Sequence, residues 1–476
     1  MIKNKNKKNF FWILLSRIFK ILCQIYVLFF IIKNINVENY GNFGIVLILV
    51  TFFYLFKDIG TGANLVQTKK IDKILIKNTF TFHVTLSLLV TFFYYVAGKL
   101  INEYYLNSKV FLDLLIIFLP IFFINSISIV KMRLLERESN FKTISIIEIF
   151  SNIFSLIIMY ISFIKGYGVK SLAINLLSYS IISSILFLIY ERTDINFNLY
   201  NFNKIKLNFY SKNIFLFNIS EYFRDNIDRI MISAIFGQYI FGLYNLSNRI
   251  TIPISQNFSE IIARFTFPLY SRMQNKLGKI YQHFNSSIQI NNFILSPILF
   301  FIIINSQILT KIIFQNEWIY VSNLLPFLCL IALVQSNIAL FYSFYKSQKN
   351  NLILKKFGYV EVVIIFFSIL IGSKFNIVGV CIMFLIIKVI FFGFLSFKTL
   401  KLFNVEKFKF YFELSLIILF SLISSFISKY FILNILENFQ INYFLLLKIF
   451  IINFALYSLL IYFFLRKKLN KYLSIF

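Results

Sequence analysis

Apolar stretches of about twenty residues, separated by short polar segments, run along this chain from end to end. A helix needs roughly 20 apolar residues to cross a bilayer, and hydrocarbon admits only structures that satisfy their own backbone hydrogen bonds. The pattern predicts an all-α membrane protein with about fourteen transmembrane helices. The predicted spans are 10–32, 40–56, 79–98, 110–130, 144–164, 169–190, 213–236, 239–267, 288–309, 321–345, 357–373, 377–397, 411–430 and 442–465.

Composition excludes a soluble protein of this length. Hydrophobic residues make up 59% of the 476 residues and charged residues 14%, whereas soluble domains carry about 25% charged residues. No segment between the predicted spans is long enough for a soluble domain. The polar surface is therefore too small to cover a water-soluble fold.

The net charge of +29 is explained by where the Lys and Arg residues lie. They concentrate in alternate loops, which is the pattern of cytoplasmic loops in membrane proteins. The basic stretch 1–8 runs into the first apolar span without a small-residue cleavage site, so we expect a transmembrane helix there. We predict that both termini are cytoplasmic and that nucleic acid is not a partner.

A weak internal repeat suggests how the helices are grouped. A short turn containing Asn39, Tyr40 and Gly41 is echoed by a turn at 237–239, which is followed by Gly242 and Tyr244. The expected organisation is an N-terminal six-helix lobe (1–195), a C-terminal six-helix lobe (196–400) and two additional transmembrane helices (401–476). This organisation is typical of transporters in which the substrate site forms where the two repeats meet. The span 239–267 is too long for a straight crossing, so we expect a kink at Pro253 or a tilt.

Charged residues inside the predicted spans are the candidate functional groups, because each costs about 2.5–3.5 kcal/mol at the bilayer centre. Span 10–32 carries Arg17, Lys20 and Gln24 on one face. Either basic residue can instead extend to the cytoplasmic surface. Span 213–236 carries a charged stripe at three- and four-residue steps, which either lines a water-filled cavity or is neutralised within its own helix and packs against a neighbour. The stripe comprises Glu221, Arg224, Asp225, Asp228 and Arg229.

The later spans extend this pattern. Span 239–267 places five polar residues within about a third of the helix circumference: Asn245, Arg249, Gln256, Glu260 and Arg264. Arg264 can alternatively be an anchor at the cytoplasmic surface. Lys388 lies in mid-span without an acidic residue in its own helix. Lys448 is expected to be an interface anchor, and Asp113, Glu148 and Glu361 are expected to be solvated near helix ends.

Basic residues outnumber acidic ones among these candidates, so the sequence predicts an anionic substrate, and arginine favours a phosphorylated one. The predicted substrate-binding residues are Arg17, Lys20, Arg224, Arg229, Arg249, Arg264 and Lys388. The predicted ion-coupling or cavity carboxylates are Glu221, Asp225, Asp228 and Glu260.

Catalytic and metal-binding motifs are absent from the sequence. There is no P-loop, no GxGxxG and no HExxH, so ATP cannot drive transport through this chain alone. His83 and His283 are far apart in the sequence. We expect His83 near a helix start and His283 in a cytoplasmic loop, both at the surface. The three cysteines lie in apolar stretches without metal-type spacing. We expect no cofactor and no metal.

Two stretches resemble polysaccharide flippases. The segment from Arg224 to Arg229, with the Phe-Gly-Leu-Tyr of 241–244 and the Phe-Pro-Leu-Tyr-Ser-Arg of 267–272, is similar to the middle region of that family. The stretch 58–67 is similar to the family's loop after the second helix. These flippases are the Wzx-type O-antigen, teichuronic and colanic acid exporters of the multidrug/oligosaccharidyl-lipid/polysaccharide superfamily.

The resemblance implies a two-lobed, MATE-like fold that works by alternating access. It implies a substrate of an oligosaccharide on undecaprenyl diphosphate, moved from the cytoplasmic to the outer leaflet of the bacterial inner (plasma) membrane for surface polysaccharide synthesis. Membrane lipid is a further partner, H⁺ or Na⁺ is a candidate coupling ion, and a monomer is expected.

Two other functions stay open. A cation-coupled multidrug exporter of the same superfamily needs carboxylates deep in a lobe, and spans 40–56 and 79–98 have none, apart from Asp58 at a cytoplasmic span end. The carboxylates of span 213–236 keep this alternative open. A membrane enzyme, such as an O-antigen polymerase or a glycosyltransferase, usually needs a large outer loop. The predicted outer loops are short, the longest being near 99–109 and 310–320.

Overall fold

The computed structural model describes residues 2–57, 73–138, 140–191, 209–273, 277–348, 351–405, 407–436 and 443–473. The stretch 58–67 that resembles the flippase loop lies outside these residues. The chain divides into two compact units, Met1–Gly242 (unit 1) and Leu243–Phe476 (unit 2). Throughout the described ranges the regular structure is helical, without a β-strand.

Unit 1 is a bundle of six helices plus the start of a seventh. They are α1 (Ile2–Asn34), α2 (Val37–Tyr54), α3 (Lys73–Ile101), α4 (Lys109–Arg137), α5 (Phe141–Ser162), α6 (Lys170–Tyr190) and the beginning of α7 (Phe209–Arg272). Asparagine and serine side chains begin three of these helices by accepting a hydrogen bond from a free backbone N–H of the first turn, which stabilises the helix start. These capping residues are Asn36 for α2, Ser108 for α4 and Asn140 for α5.

Unit 2 contains the rest of α7 and six further helices. They are α8 (Leu277–Ile313), α9 (Val321–Ser347), α10 (Asn351–Ser373), α11 (Ile377–Leu402), α12 (Lys407–Leu436) and α13 (Tyr443–Leu473). In the described part of the whole chain, eleven helical segments are long and apolar enough to cross a membrane, and two shorter apolar ones lie at Phe357–Ser373 and Lys448–Phe463. The all-α membrane class is confirmed; the exact number of fourteen spans is not.

Helix α7 contains both spans predicted at 213–236 and 239–267. Gly237 interrupts it with non-helical torsion angles (φ 75°, ψ −174°), a conformation that a residue without a Cβ adopts readily. We call the residues of α7 before Gly237 the first arm and those after it the second arm. The predicted turn therefore lies where expected. Helical geometry continues through Pro253, so this proline does not end the second arm.

The two copies of the sequence repeat touch each other through glycine. A Cβ built on Gly41 would lie 1.9 Å from the backbone oxygen of Gln238, and one built on Gly242 would lie 2.3 Å from the backbone oxygen of Val37. In each copy of the repeat, the glycine lies four residues after the start of its helical segment (α2 or the second arm of α7) and contacts the first backbone carbonyl of the other copy's segment. Such close backbone approach is how small residues pack helices in a membrane.

Three local expectations need correction. Residues 39–41 are helical, because α2 already begins at Val37. The predicted loop is formed instead by residues 35 and 36, directly before the helix. His83 is not at the surface but buried in α3 at 1% exposure. His283 lies inside α8 and not in a loop, since that helix begins at Leu277. Both histidines were misplaced because their helices begin before the predicted apolar spans, at Lys73 and Leu277.

Amide side chains hold the centre of unit 2 together. Asn292 and Asn337 exchange hydrogen bonds of 2.8 Å and 3.0 Å between α8 and α9, and Asn291 donates to Ser336 at 2.9 Å. All four residues are buried. Because hydrocarbon offers no substitute partner, each lost amide pair would leave unsatisfied groups. These bonds fix the α8–α9 pair in the core of unit 2.

The glycine contact leads to a stability prediction. Gly41→Ala should lower the melting temperature of the detergent-purified protein, because its methyl group would overlap a backbone oxygen that cannot rotate away. Gly393→Ala is the matched control: its Cβ would have no neighbour within 4 Å in the described structure, and alanine stabilises a helix by about 1 kcal/mol relative to glycine. Equal melting temperatures for the two variants would contradict the close approach.

Candidate functional site

The first arm of α7 is fastened to α2 in unit 1. The Tyr222 hydroxyl donates a hydrogen bond of 2.7 Å to the backbone oxygen of Ile48, and its ring lies 5.4 Å from the ring of Phe52. Tyr222 is buried, whereas the neighbouring Phe223 is exposed. The aromatic contact therefore sets which face of the first arm packs inward and how the charged stripe is presented.

Arg224 is partly neutralised within its own helix. Its Nη2 lies 3.6 Å from Oε1 of Glu221, and its Nε lies 3.1 Å from Oδ1 of Asp225. The predicted Glu221–Arg224 pairing is thus present, while Asp225 pairs with Arg224 and not with Arg229. Glu221, Arg224 and Asp225 therefore neutralise one another within the helix, as one of the two interpretations of the stripe expected.

Arg229 differs from Arg224. It is half-buried, its charge acts on the Tyr222 hydroxyl, and among the described residues it forms no ion pair. Its Nε is buried without a hydrogen-bond partner in the described structure. Asp228, beside it in sequence, is buried at 7% exposure. Arg229 is the guanidinium of the first arm that has capacity for an anion.

Helix α1 meets a carboxylate of α5. Glu148 is half-buried and not solvated as expected, and Ser16 and Lys20 of α1 lie close enough to interact with its carboxyl group. Arg17 is half-buried, and Lys20 and Gln24 are exposed on unit 1. Lys20 thus has an acidic neighbour on another helix, which its own span could not reveal.

The second arm of α7 has two unlike faces in unit 2. Small hydroxyl side chains fill the face packed into the unit: Ser247, Thr251, Ser255, Ser259 and Thr266 are all buried. Opposite to them, Gln256, Glu260 and Arg264 recur at four-residue steps and are exposed, and Arg249 is half-buried. In the described part of the chain Arg249 and Arg264 form no ion pair. A row of charges facing hydrocarbon would be costly, so this face is suited to line a water-filled cavity.

Lys388 is in a different situation from the other basic residues. Its Nζ donates a hydrogen bond of 2.6 Å to Oε1 of Glu361 on α10, and the two residues are 1% and 2% exposed. The hydroxyl of Tyr342 on α9 donates to the other carboxylate oxygen, also at 2.6 Å. The expectation that Glu361 is solvated is wrong. Helix α10 begins at Asn351, six residues before the predicted span, so Glu361 lies near the middle of the helix.

A groove of about 390 Å³ lies over this ion pair, between α10 and α11. Its wall is apolar apart from the ion pair. The lining residues are Phe357, Val360, Glu361, Ile364, Ile387, Lys388, Ile390, Phe391 and Phe394. Val360, Ile390 and Phe394 are also exposed on unit 2. The groove therefore leads from the surface of the unit to the buried charges.

The predicted site residues divide between the units. Unit 1 holds Arg17, Lys20, Glu221, Arg224, Asp225, Asp228 and Arg229, and unit 2 holds Arg249, Glu260, Arg264 and Lys388. Sequence reasoning missed Tyr342, Glu148 and Glu361 as partners. One signal was available for Glu361: a lysine in mid-span requires a counter-charge, and the neighbouring predicted span carries this glutamate.

A family model described as "Polysaccharide biosynthesis protein" matches residues 35–323, more than half of the chain. The chain belongs to this family. Teichuronic acid biosynthesis protein TuaB of Bacillus subtilis (strain 168) is 22% identical over 288 residues, which cover 60% of this chain and 59% of that protein. Lipopolysaccharide biosynthesis protein WzxC of Escherichia coli (strain K12) is 23% identical over 174 residues, 36% of this chain and 35% of that protein. The chain thus matches less than two thirds of the length of each relative.

Solved structures show the same fold. Lipid II flippase MurJ in an inward closed conformation superposes with a TM-score of 0.72 at 17% identity, over 95% of this chain and 99% of that one. An inward-facing multidrug resistance MATE family transporter of the MOP superfamily gives 0.62 at 13% identity, over 82% and 96%. The predicted MATE-like fold and the resemblance to polysaccharide flippases are confirmed. This polysaccharide biosynthesis protein thus shares the fold of these membrane proteins.

The Glu361 cluster gives a prediction for stability. Tyr342→Phe should destabilise the protein by about 1.5–3 kcal/mol, because a hydrogen bond to a charged group is lost. Tyr345→Phe is the control: its buried hydroxyl bonds neutral Thr399 at 3.0 Å, so the expected loss is about 1 kcal/mol. Thermal unfolding in detergent measures both. A larger loss for the Tyr345 variant would contradict the charge on Glu361.

Proposed function

We propose that this protein is a flippase that moves an undecaprenyl-diphosphate-linked oligosaccharide from the cytoplasmic to the outer leaflet of the plasma membrane by alternating access. The proposal is carried by the second arm of α7, which buries its hydroxyl face and leaves Arg264 exposed and Arg249 half-buried, both without ion pairs in the described structure. Arginine binds phosphate through two parallel hydrogen bonds. A lipid diphosphate supplies the matching anion.

Family membership supports the cargo class. The family is described as polysaccharide biosynthesis, and the matched relatives are named for teichuronic acid and lipopolysaccharide biosynthesis. The superposed MurJ is named as a flippase for lipid II. A glycan on a lipid carrier fits both the family description and the basic character of the candidate site.

Of the predicted basic residues, we assign Arg229, Arg249 and Arg264 to the anion, with Arg17 and Lys20 as further candidates. Arg224 has two carboxylates close to it, so its charge is less available. The carboxylates Glu221, Asp225, Asp228 and Glu260 remain the candidates for holding a coupling proton or Na⁺. The alternating loop charges support cytoplasmic termini.

Deletion of the gene tests the proposal. In a strain without a redundant exporter, surface polysaccharide should be lost, and the undecaprenyl-linked oligosaccharide should accumulate on the cytoplasmic leaflet, where an added glycosidase cannot reach it in intact spheroplasts. Surface polysaccharide at the wild-type level would contradict the proposal. Lost resistance to cationic drugs with unchanged polysaccharide would identify the multidrug exporter instead.

Point variants test the assignment of the anion site. Arg249→Ala should lower export by about ten- to a hundredfold, since a charge-assisted hydrogen bond contributes about 1.5–3 kcal/mol. Arg249→Lys should retain an intermediate rate, because lysine keeps the charge but loses the two-pronged geometry. Export is measured as surface polysaccharide per unit of membrane-inserted protein.

Lys311→Ala is the control for these variants, because Lys311 is an exposed residue in the last turn of α8. It should export normally. Equal export by Arg249→Ala and Lys311→Ala would remove Arg249 from the substrate site.

A further inference from the structure

The ammonium of Lys388 contacts a carboxylate on α10 and an aromatic ring on its own helix, and α9 holds the carboxylate. Glu361 on α10 accepts its hydrogen bond at 2.6 Å, and the ring of Phe384, one helical turn earlier on α11, has its centroid 5.3 Å from Nζ. Tyr342 on α9 donates to the second oxygen of Glu361 at 2.6 Å. A carboxylate held by a phenol, beside an aromatic face, is an arrangement that binds a small monovalent cation.

We propose that the Glu361 carboxylate and the Phe384 ring, with the Tyr342 hydroxyl holding the carboxylate, form a monovalent-cation site in unit 2, and that the ammonium of Lys388 is the tethered cation occupying it. Lys388 is then a positioning residue that joins α9, α10 and α11. It is not a ligand for the transported anion. This inference is independent of the proposed function, because it concerns charge balance within unit 2.

The burial of the pair supports this assignment. Both side chains are almost completely buried in apolar helices, where an uncompensated carboxylate is strongly disfavoured. An ionised Glu361 must therefore be accompanied by a cation, and the ammonium of Lys388 lies in that position. A transported anion would have to compete with a carboxylate that is already in hydrogen-bonding contact with the ammonium.

The groove makes the site accessible when the lysine is shortened. Lys388 and Glu361 both line the groove between α10 and α11, so truncation of the lysine would open a path from the surface of the unit to the carboxylate. In Lys388→Ala the lost atoms correspond to n-propylammonium. That ion restores both the apolar stem and the charged, hydrogen-bonding end.

The experiment is chemical rescue of purified Lys388→Ala protein in detergent. Its melting temperature should be below that of the wild type and should rise saturably as n-propylammonium chloride is added, since a ligand bound to the folded state stabilises it. Sodium chloride at the same ionic strength is run in parallel and reports whether Na⁺ also fills the site. Tetramethylammonium, which has no N–H to donate, should give little or no rise.

Two variants serve as controls. The melting temperature of the wild-type protein should not respond to n-propylammonium, because its site is occupied. The double variant Lys388→Ala/Glu361→Gln should not respond either, because it has no carboxylate charge. The proposal is overturned if Lys388→Ala shows no saturable rise with either n-propylammonium or Na⁺, or if the Glu361→Gln double variant responds equally.

A further double variant covers the case in which Lys388→Ala does not accumulate in membranes. Lys388→Met/Glu361→Leu removes both charges and keeps apolar volume, which is often neutral for a buried ion pair. It should accumulate at close to the wild-type level, because no carboxylate then requires a cation. Depletion of this double variant as severe as that of Lys388→Ala would overturn the assignment.

Discussion

Hydrocarbon offers no hydrogen-bond partner and little solvation for charge, and the structure of both units follows from this constraint. It forces the backbone into helices, because only a helix satisfies its own N–H and C=O groups within one segment. It then acts on side chains. In the interior of unit 2, Asn292 and Asn337 bond each other across α8 and α9, and Lys388 and Glu361 neutralise each other across α10 and α11. In both pairs, each buried polar side chain has its partner on a neighbouring helix.

The same constraint separates structural charges from functional ones. Lys388 is buried against a carboxylate, and Arg224 lies beside two. On the second arm of α7, Arg249 is half-buried and Arg264 is exposed, and neither forms an ion pair in the described structure. Charges left without a protein partner on a membrane protein require water or a ligand. We therefore propose that these arginines bind the transported anion and that Lys388 balances the charge of Glu361 within unit 2.

The close contact of the repeated glycines shows how local sequence and packing combine. Gly41 and Gly242 each bring a helix to the backbone of the other repeat, at a separation where no Cβ fits. Gly237, by contrast, serves the torsion angles of a break in α7. The short repeat in the sequence pointed to equivalent positions. That those positions touch depends on how the helices are placed in unit 1.

The sequence by itself determined the all-α membrane class, the break near Gly237 and the family resemblance, because hydropathy, glycine and short motifs are local properties of the chain. It also identified which intramembrane residues are charged. Only the tertiary structure decided the partners. Glu361 and Lys388 are 27 residues apart on different helices, and Glu148 meets Ser16 and Lys20 on the first helix. Pairing depends on which helix faces pack together, and periodicity within one helix carries no information about the face of another.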